Sequence, residues 1–460
     1  MQKYKKHLKT RNNAQISSLF LSFLVILPHQ LYDVMKFIYK LIIIICIMFL
    51  FFCFYNYYKN RNTLEGKKVV LCIPVYGQSL ALGEEAIRIT DFDSLRIKYD
   101  GRIVTENLDY SFGYLDDELS RQHFKKLIHY DKRAYELSSY RMAQELVSKL
   151  GSDTIICIFP GGTGMSQITI MNKSTQTYNK FLYELEHAYK KAKDKGWSFY
   201  VPAICWMQGE SDIIDYPRHD YKKLLKQFSE DINNDIKTIT KQKEDIRIIT
   251  YQSNVVTRAE KFENNNYICP ETKVPQAIVD LITHDSLFWA SGPTYPYEFV
   301  NERLHIDAIG QQHIGYLDAI AVMNILRKGR KTYGVTPRSL SIEGKDVIIK
   351  FNVPSPPLVF DTISVSPINH YGFSVISKDN IDILTSAFIE RDNTVRLTCL
   401  QNPIGCKVRY AINGKYMKSG FKNGPRGNLR DSQGETYIMN VLGGIYPINN
   451  WAYQFDMPCN

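Results

Sequence analysis

The sequence predicts an α/β fold with a mostly parallel sheet, preceded by a hydrophobic N-terminal segment and followed by a smaller all-β domain of sandwich type. Continuous apolar runs alternate with segments whose apolar residues recur at helical spacing, which is typical of a parallel sheet covered by helices on both faces. After about residue 331 the helical spacing ends, and short runs rich in β-branched residues follow between Pro, Gly and Asn turns. A chain of 460 residues, 44% of them hydrophobic, is long enough for two or three domains.

Each predicted element rests on its own pattern of apolar residues. Strands of the α/β part are predicted from continuous apolar runs at 67–75, 154–159, 199–206 and 246–251. Helices between them are predicted from apolar residues three and four positions apart at 137–150, 182–192 and 221–236. Strands of the C-terminal domain are predicted at 347–351, 362–365, 394–400 and 407–412.

The N-terminal segment carries most of the positive charge of the chain. The first 68 residues hold eleven Lys or Arg and two acids, which accounts for +9 of the net charge of +10. Nucleic-acid-binding proteins spread such charge over a folded face, so we expect no nucleic acid as a partner. Residues 41–58 form the uncharged run LIIIICIMFLFFCFYNYY, with more positive charge before it than after it. This pattern predicts a membrane anchor whose C-terminal body lies outside the cytoplasm.

Four parts of the chain follow from these patterns. A basic segment at 1–35 precedes a transmembrane anchor or signal segment at 36–60, and Met35 is a possible alternative start. An α/β domain is predicted at 66–330 and an all-β accessory domain at 335–460. We expect the body in the periplasm or at the cell surface, attached to the membrane. Secretion after signal cleavage and lipidation at Cys53 are the alternatives.

Two features of the C-terminal domain have an open interpretation. Cys399 and Cys406 flank a predicted turn and could form a disulfide in an exported protein. The polar loop at 423–431, with Arg426 and Arg430, either contacts a sugar or is a structural loop held by hydrogen bonds. No cysteine spacing in the chain is typical of a zinc site.

Four short blocks follow predicted strands or precede a predicted helix. Ser79 ends the block 76–79 (YGQS) directly after the first strand, where an exposed nucleophile belongs, although a helix cap is the common role of such a Ser. Block 160–164 (PGGTG) has the glycines that let backbone N–H groups approach a substrate, and it lacks the spacing of a phosphate loop. The remaining blocks are 206–212 (WMQGESD) and 302–305 (ERLH).

In this order the four blocks resemble the sialic acid-specific acetylesterase group of the SGNH/GDSL hydrolases, over roughly residues 67–325. This group includes carbohydrate acetylesterases that act on O-acetylated sialic acids and on plant polysaccharides. The most specific block is QGESD at 208–212. The resemblance implies a three-layer α/β/α fold of SGNH type and a serine esterase that removes O-acetyl groups from carbohydrates. It implies an O-acetylated sugar or glycan as substrate, and neither a metal nor an organic cofactor.

The resemblance also implies the catalytic residues. Ser79 would be the nucleophile, His305 its general base, and Glu302 the acid that orients the imidazole. The sequence leaves Asp285 and Asp307 as alternatives for the acid. Asp307 is the weaker of the two, because it follows the His at what looks like the start of a helix, where an acid is a common first residue.

The oxyanion hole and its support are implied in the same way. The backbone N–H groups of Ser79 and Gly162 and the side-chain amide of Gln208 would bind the oxyanion. Glu210 and Asp212 match acidic positions of the family, and we expect them to brace the loops of the site rather than to act on substrate.

Two departures from the family pattern keep other functions open. Leu80 stands where the group usually has Asn, and Glu302 where it usually has Asp. A catalytically inactive glycan-binding protein of the same fold is therefore one alternative. The other is a cell-surface glycan O-acetyltransferase that uses the same Ser and His, although the multi-span membrane domain that often accompanies such transferases is not apparent in the sequence.

Overall fold

The computed structural model describes residues 29–62, 68–99, 102–105, 125–126, 135–214, 219–254, 261–263, 266–268, 273–302, 304–415, 418 and 420–460. The chain divides into two units, residues 1–67 and 68–460, and each is considered by itself. The predicted segment at 1–35 lies largely outside the described residues.

The first unit is described only as one helix, α1 (His29–Asn62), which contains the whole uncharged run at 41–58. Large apolar side chains are exposed along it, among them Phe37, Met48 and Leu50, each at least 65% exposed. Among the described residues, however, no helix has both the length and the apolar character needed to cross a membrane. The transmembrane anchor predicted at 36–60 is therefore not confirmed.

The second unit begins with alternating strands and helices. Its helices are α2 (Phe92–Tyr99), α3 (Ser138–Lys149), α4 (Gln176–Asp194), α5 (Glu210–Ile214), α6 (Tyr221–Thr240), α7 (Lys273–His284) and α8 (Ala308–Leu326). The strands among these helices are β1 (Val69–Cys72), β2 (Val75–Gly77), β3 (Ile103–Thr105), β4 (Lys125–Lys126), β5 (Thr154–Ile158), β6 (Pro160–Gly162), β7 (Ser198–Tyr200), β8 (Ala203–Met207), β9 (Arg247–Gln252), β10 (Lys261–Glu263), β11 (Asn266–Ile268) and β12 (Phe288–Pro293).

The C-terminal strands follow without long helices between them. They are β13 (Thr336–Glu343), β14 (Asp346–Asn352), β15 (Val359–Phe360), β16 (Phe373–Ile376), β17 (Leu384–Arg391), β18 (Thr394–Cys399), β19 (Lys407–Tyr410), β20 (Leu429–Arg430), β21 (Ile438–Val441), β22 (Gly444–Pro447) and β23 (Phe455–Pro458). Single helical turns occur at Ile168–Ile170, Val300–Glu302, Asn369–Gly372 and Gln433–Glu435.

The sheet of the α/β part is parallel except for the edge strand β4. Its central strands are interrupted midway, so that β1 and β2 are two halves of one path, with order β4-β3-β5-β1-β7 in the first halves and β12-β9-β8-β2-β6 in the second. Pro74 and Pro202 lie at two interruptions, because proline has no N–H for the ladder. Backbone hydrogen bonds nevertheless continue across the first of them, from Val75 N to Phe159 O at 3.0 Å.

Helices cover both faces of this sheet. On one face, α4, α6 and α7 pack with aromatic residues such as Trp206 and Phe228, whose ring centroids lie 4.6 Å apart. On the other face, α3 and α8 contribute to a second core with residues such as Tyr140 and Ile314. The α/β fold with a mostly parallel sheet is thus confirmed, and the helices predicted at 137–150, 182–192 and 221–236 are α3, α4 and α6.

The C-terminal part is all β, as predicted. The antiparallel sheets β13-β14-β18-β17 and β16-β19-β23 face each other across a shared core. Ile349 and Leu397 of the first sheet and Val375 and Phe455 of the second are each fully buried there. Their alternation with exposed residues along the strands is what produced the strand signal in the sequence.

One strand prediction in this part is wrong. Residues 362–365 form a turn, because the carboxylate of Asp361 accepts hydrogen bonds from the backbone N–H groups of Ile363 at 3.0 Å and Ser364 at 2.8 Å. A short acid that bonds to the backbone just ahead of it competes with strand pairing. The β-branched residues alone gave no sign of this competition.

The β part is joined to the α/β part by the end of the chain. The backbone of Gln454 exchanges two hydrogen bonds with the side chain of Gln252 at the end of β9, at 2.7 and 2.8 Å. Beside it, Tyr453 is fully buried in the core of the α/β part. The division predicted at 331–335 stays a prediction about independent folding, since residues 68–460 form one compact unit.

The two open features of the β part have plain structural descriptions. Cys399 and Cys406 are buried free thiols in this structure. In the polar loop, Arg426 donates to the backbone oxygens of Ser366 at 2.9 Å and of Gly424 at 3.0 Å. The other arginine of the loop, Arg430, donates from Nε to Oδ2 of Asp361 at 2.7 Å. These contacts hold the loop to its own domain.

Candidate active site

The site lies where β2, β6 and β8 end side by side. A Cβ added to Gly77 would lie 1.9 Å from the backbone oxygen of Met207, and one added to Gly162 would lie 1.6 Å from the backbone oxygen of Gly77. Gly162 also has φ 124°, a conformation that other residues rarely adopt. The glycines of the first two blocks therefore allow three backbones to approach one another directly beneath Ser79.

Ser79 starts a tight turn that runs to Glu85. Its backbone oxygen accepts hydrogen bonds from the N–H groups of Leu82 and Glu84, both at 3.1 Å. From α8, the side chain of Gln311 donates to the oxygen of Leu80 at 3.0 Å. These bonds hold the Ser79 side chain at the carboxyl edge of the sheet, where ligands bind in α/β folds.

His305 reaches Ser79 from a segment 226 residues further along the chain. Its Nε2 lies 2.7 Å from the Ser79 Oγ. Two backbone hydrogen bonds hold the segment, from Val300 N to His305 O at 2.7 Å and from Asp307 N to Glu298 O at 2.9 Å. A hydroxyl at this distance from an imidazole nitrogen is within reach of a proton transfer to it.

The other nitrogen of His305 contacts a carboxylate that the sequence did not single out. Nδ1 lies 2.8 Å from the Oε2 of Glu85. Glu302, the predicted acid, has its backbone in the helical turn Val300–Glu302, and its side chain lies outside the described residues. Its assignment stays a prediction.

The two alternative acids bond elsewhere. Asp307 is the N-cap of α8, and its Oδ1 accepts from the N–H of Gly310 at 2.7 Å. Burial raises the pKa of Asp307, and the bond from Gly310 opposes that rise. Asp285 accepts from the N–H of Leu287 at 2.9 Å. The helix start that the sequence predicted at Asp307 is confirmed.

Gln208 lies at the end of β8 with its amide bonded inside the protein. Its Nε2 donates to the backbone oxygen of Ser166 at 3.1 Å and to the Oδ2 of Asp212 at 2.5 Å. Its Oε1 accepts from the hydroxyl of Tyr221 at 2.9 Å. Both amide protons are therefore engaged, and one of these bonds must be exchanged before Gln208 can donate to an oxyanion. Its predicted role is untested.

Asp212 contacts residues from two loops of the site. The carboxylate is fully buried and accepts from the N–H of Ile168 at 2.9 Å as well as from Gln208. Its other oxygen lies 2.7 Å from Nε2 of His219. Asp212 thus joins the loop after β6 to the loop after β8.

Glu210 lies in the same segment and is also buried. Its Oε1 accepts a short hydrogen bond from the hydroxyl of Tyr251. Burial raises the pKa of Glu210, and the bond from Tyr251 and the charge of His305 oppose that rise. A carboxyl held this way is better suited to support the loop than to attack a substrate.

Other supporting residues were missed in the sequence. Glu136 is fully buried, and its carboxylate accepts from the N–H groups of Ile89 at 2.8 Å and Thr90 at 2.9 Å. Its own N–H donates to the oxygen of Ala86 at 2.7 Å. Glu136 therefore anchors the chain that leaves the Ser79 turn. An acid just ahead of a helical pattern was the only local signal, and it is a common one.

Together, these groups form a site for nucleophilic acyl transfer. A serine hydroxyl bonded to an imidazole, whose other nitrogen contacts a carboxylate, is the arrangement that activates serine for attack on a carbonyl carbon. The geometry of these groups can support acyl transfer at Ser79.

Comparison with known proteins shows what this chain is similar to. Residues 138–316 match the family model described as carbohydrate esterase, sialic acid-specific acetylesterase. That range contains the last three blocks and begins after Ser79. No curated protein matches the chain in sequence. The resemblance indicated by the four blocks is thereby confirmed for residues 138–316.

Several solved structures are similar to this chain, and the first of those named here shares its fold. A carbohydrate acetylesterase from Xanthomonas citri is similar with a TM-score of 0.56 at 15% identity, over 85% of this chain and 80% of its own. A protein from Arabidopsis thaliana has a TM-score of 0.40 at 14% identity, over 56% of this chain and 98% of its own. The protein NanS has a TM-score of 0.38 at 13% identity, over 57% and 99%.

Proposed function

We propose that this protein is a serine esterase that removes O-acetyl groups from carbohydrates, either acetylated sialic acids or polysaccharide acetyl esters. The observation that carries the proposal is the 2.7 Å contact between Ser79 Oγ and His305 Nε2. In the family whose model matches residues 138–316, the named substrates are carbohydrate esters and the named reaction is removal of acetyl groups.

The reaction would proceed by two acyl transfers. His305 Nε2 takes the hydroxyl proton of Ser79 as Oγ bonds to the acetyl carbonyl carbon. The carbonyl oxygen becomes an oxyanion, which the N–H groups of Ser79 and Gly162 and the amide of Gln208 would stabilise. One such side-chain donor is worth about 3 kcal/mol in the transition state. His305 then protonates the departing sugar oxygen as its bond to the acetyl carbon breaks.

Water completes the cycle. His305 takes a proton from a water molecule, whose oxygen bonds to the carbonyl carbon of the acetyl-serine. The bond to Ser79 Oγ breaks, acetate leaves, and the proton on His305 returns to Ser79. Each step moves one proton through the same nitrogen, so the mechanism needs no group beyond those on this chain and water.

The test is acetate release by the full-length protein from acetylated sialic acids, acetylated xylan and pectin. We expect release from at least one of them, and Ser79→Ala should lower kcat by at least about a thousandfold. Ser148→Ala, on the surface of α3, is the matched control and should keep full activity. Wild-type protein that releases no acetate from any of these, while binding glycan, would instead favour the inactive glycan-binding alternative.

We also propose that α1 attaches the protein to a membrane, with the body outside the cytoplasm. The large exposed apolar side chains of α1 and the positive charge concentrated in the first 68 residues support this. Protease added to cells with a permeabilised outer envelope should digest the body, and the protein should fractionate with membranes. Protection of the body until the cells are lysed would contradict the proposal.

A further inference from the structure

We propose that Glu85 is the positioning acid of His305, so that the nucleophile and the acid come from one turn and the base from another segment. This inference rests on the proposed function. Glu85 Oε2 lies 2.8 Å from Nδ1 of His305, while Nε2 of the same ring lies 2.7 Å from Ser79 Oγ. A carboxylate on Nδ1 keeps the proton there, leaves Nε2 free to accept, and stabilises the imidazolium that forms in the transition state.

The backbone of the turn is bent to bring Glu85 into this place. Glu85 has φ 65°, in the left-handed region that non-glycine residues rarely occupy. Gly83, two residues earlier, also lies in that region with φ 68°. A glutamate held in a strained conformation points to a function for its side chain, because the strain has to be offset by the structure around it.

The surrounding structure supplies that offset from outside the turn. Leu80 accepts from Gln311 of α8, and the oxygen of Ala86, directly after Glu85, accepts from the N–H of Glu136 at 2.7 Å. Both ends of the turn are therefore attached to buried groups elsewhere in the fold. These contacts fix the position of the turn, so the Glu85 carboxylate lies beside His305 without needing other contacts to the His305 segment.

The exposure of the two side chains fits an acid at the mouth of the site. Glu85 is 43% exposed and His305 is 14% exposed. Water around Glu85 screens its charge in the free enzyme. A sugar lying across the mouth would exclude that water and strengthen the contact when the imidazolium forms.

Neighbouring carboxylates have other surroundings. Glu84, the adjacent acid, is half-buried, and its Oε1 lies 2.7 Å from where a Cβ of Gly164 would be. Burial raises the pKa of Glu84, and the charge of His305 opposes that rise. Glu302, three residues before His305, is the rival that the family pattern favours, so it is the matched comparison for Glu85.

The experiment compares Glu85→Gln with Glu302→Gln in the full-length protein. Glu85→Gln should lower kcat by about a hundredfold or more with KM within about twofold, because the contact acts mainly when charge forms on His305. Glu302→Gln should keep kcat within about threefold. In protein with ¹⁵N-labelled histidine, the far-downfield proton on Nδ1 of His305 should disappear in Glu85→Gln and persist in Glu302→Gln. Glu85→Asp should restore part of kcat.

The remaining outcomes either overturn the proposal or separate it from the proposed function. The proposal is overturned if Glu302→Gln loses the downfield proton and the activity, or if both variants keep them. Should Glu85→Gln fold poorly, Glu85→Gly removes the carboxylate and relieves the left-handed strain, and it should melt no lower than wild type while still losing kcat. A wild-type protein without esterase activity, whose downfield proton still depends on Glu85, would refute the proposed function and leave the pairing intact.

Discussion

Two neighbouring loops at the same edge of the sheet use their polar groups in opposite ways. In the turn from Ser79 to Glu85, both functional side chains contact His305 of a distant segment, and Glu85 is 43% exposed although Ser79 is buried. The segment 206–212 keeps Gln208 and Asp212 almost entirely buried and bonded within the protein.

The difference separates reaction chemistry from support. Groups that exchange protons with substrate have to be reachable, so their geometry must be held by the backbone beneath them. Groups that hold loops together can be buried, because each hydrogen bond replaces the water they lose. Gln208 does not fit this distinction. It is buried like the groups that hold the loops together, yet it is predicted to donate to the oxyanion.

Among the residues of the segment 206–212 and the buried acids, the largest effect is expected for Gln208. Gln208→Ala should lower kcat on an acetyl ester by about a hundredfold, with little change in KM, because a donor to the oxyanion acts only in the transition state. Measuring kcat and KM on 4-nitrophenyl acetate checks this. If the amide stays with Ser166 and Asp212 during turnover, kcat will change by only a few-fold and the loss will appear in stability.

Asp212→Asn tests the supporting segment. Asparagine replaces one acceptor oxygen of Asp212 with an amide, so Ile168, Gln208 or His219 loses its acceptor unless the His219 ring changes tautomer. We expect the free energy of unfolding to fall by about 2 to 3 kcal/mol, measured by urea denaturation. Asp379→Asn, in an exposed loop, is the control and should be neutral. An unchanged free energy in Asp212→Asn would show that the bracing is unimportant.

A third variant examines a buried acid that is less well satisfied than Asp212. Asp318 on α8 is almost fully buried, and its Oδ2 has no hydrogen-bond partner among the described residues. Burial raises the pKa of Asp318 to about 7. The unfolded chain releases this proton near pH 4, whereas the folded protein keeps it until about pH 7.

Stability therefore falls as the pH rises from about 4 to about 7 and is reduced by a constant amount above that range. Asp318→Asn removes this loss, and we expect it to raise the free energy of unfolding by about 2 kcal/mol at pH 8 relative to wild type. The gain should shrink toward pH 4. Urea denaturation at the two pH values measures it, and a gain that is the same at both would contradict the assigned cause.

The smallest expected effect is that of Asp307→Asn. Asparagine caps helices about as well as aspartate, so the melting temperature should stay the same and kcat should remain within about twofold. A loss of kcat by orders of magnitude would make Asp307 the orienting acid. That result would also remove the contrast between the turn from Ser79 to Glu85, which supplies the reacting groups, and the segment 206–212, which supports them.

Much of the fold could be predicted from local patterns. The continuous run at 154–159 became β5, and helical spacing at 221–236 became α6, because burial on one or both faces leaves a period in the sequence. Only the start of helix α8 was predicted, since its buried residues cover nearly its whole circumference and leave no amphipathic period from which its length could be read. Residues 362–365 were predicted wrongly for the reverse reason, because a single acid changed their local pairing.

The sequence by itself determined the order of the four blocks, the serine after the first strand and the resemblance to a family, since each of these is a matter of residue type and spacing. Only the tertiary structure decided which side chains meet. His305 and Glu85 are 220 residues apart, and their contact depends on how α8 and Glu136 hold a strained turn. A spacing rule could suggest Glu302 for that contact, but it carries no information about packing between distant segments, and that packing brings Glu85 to His305.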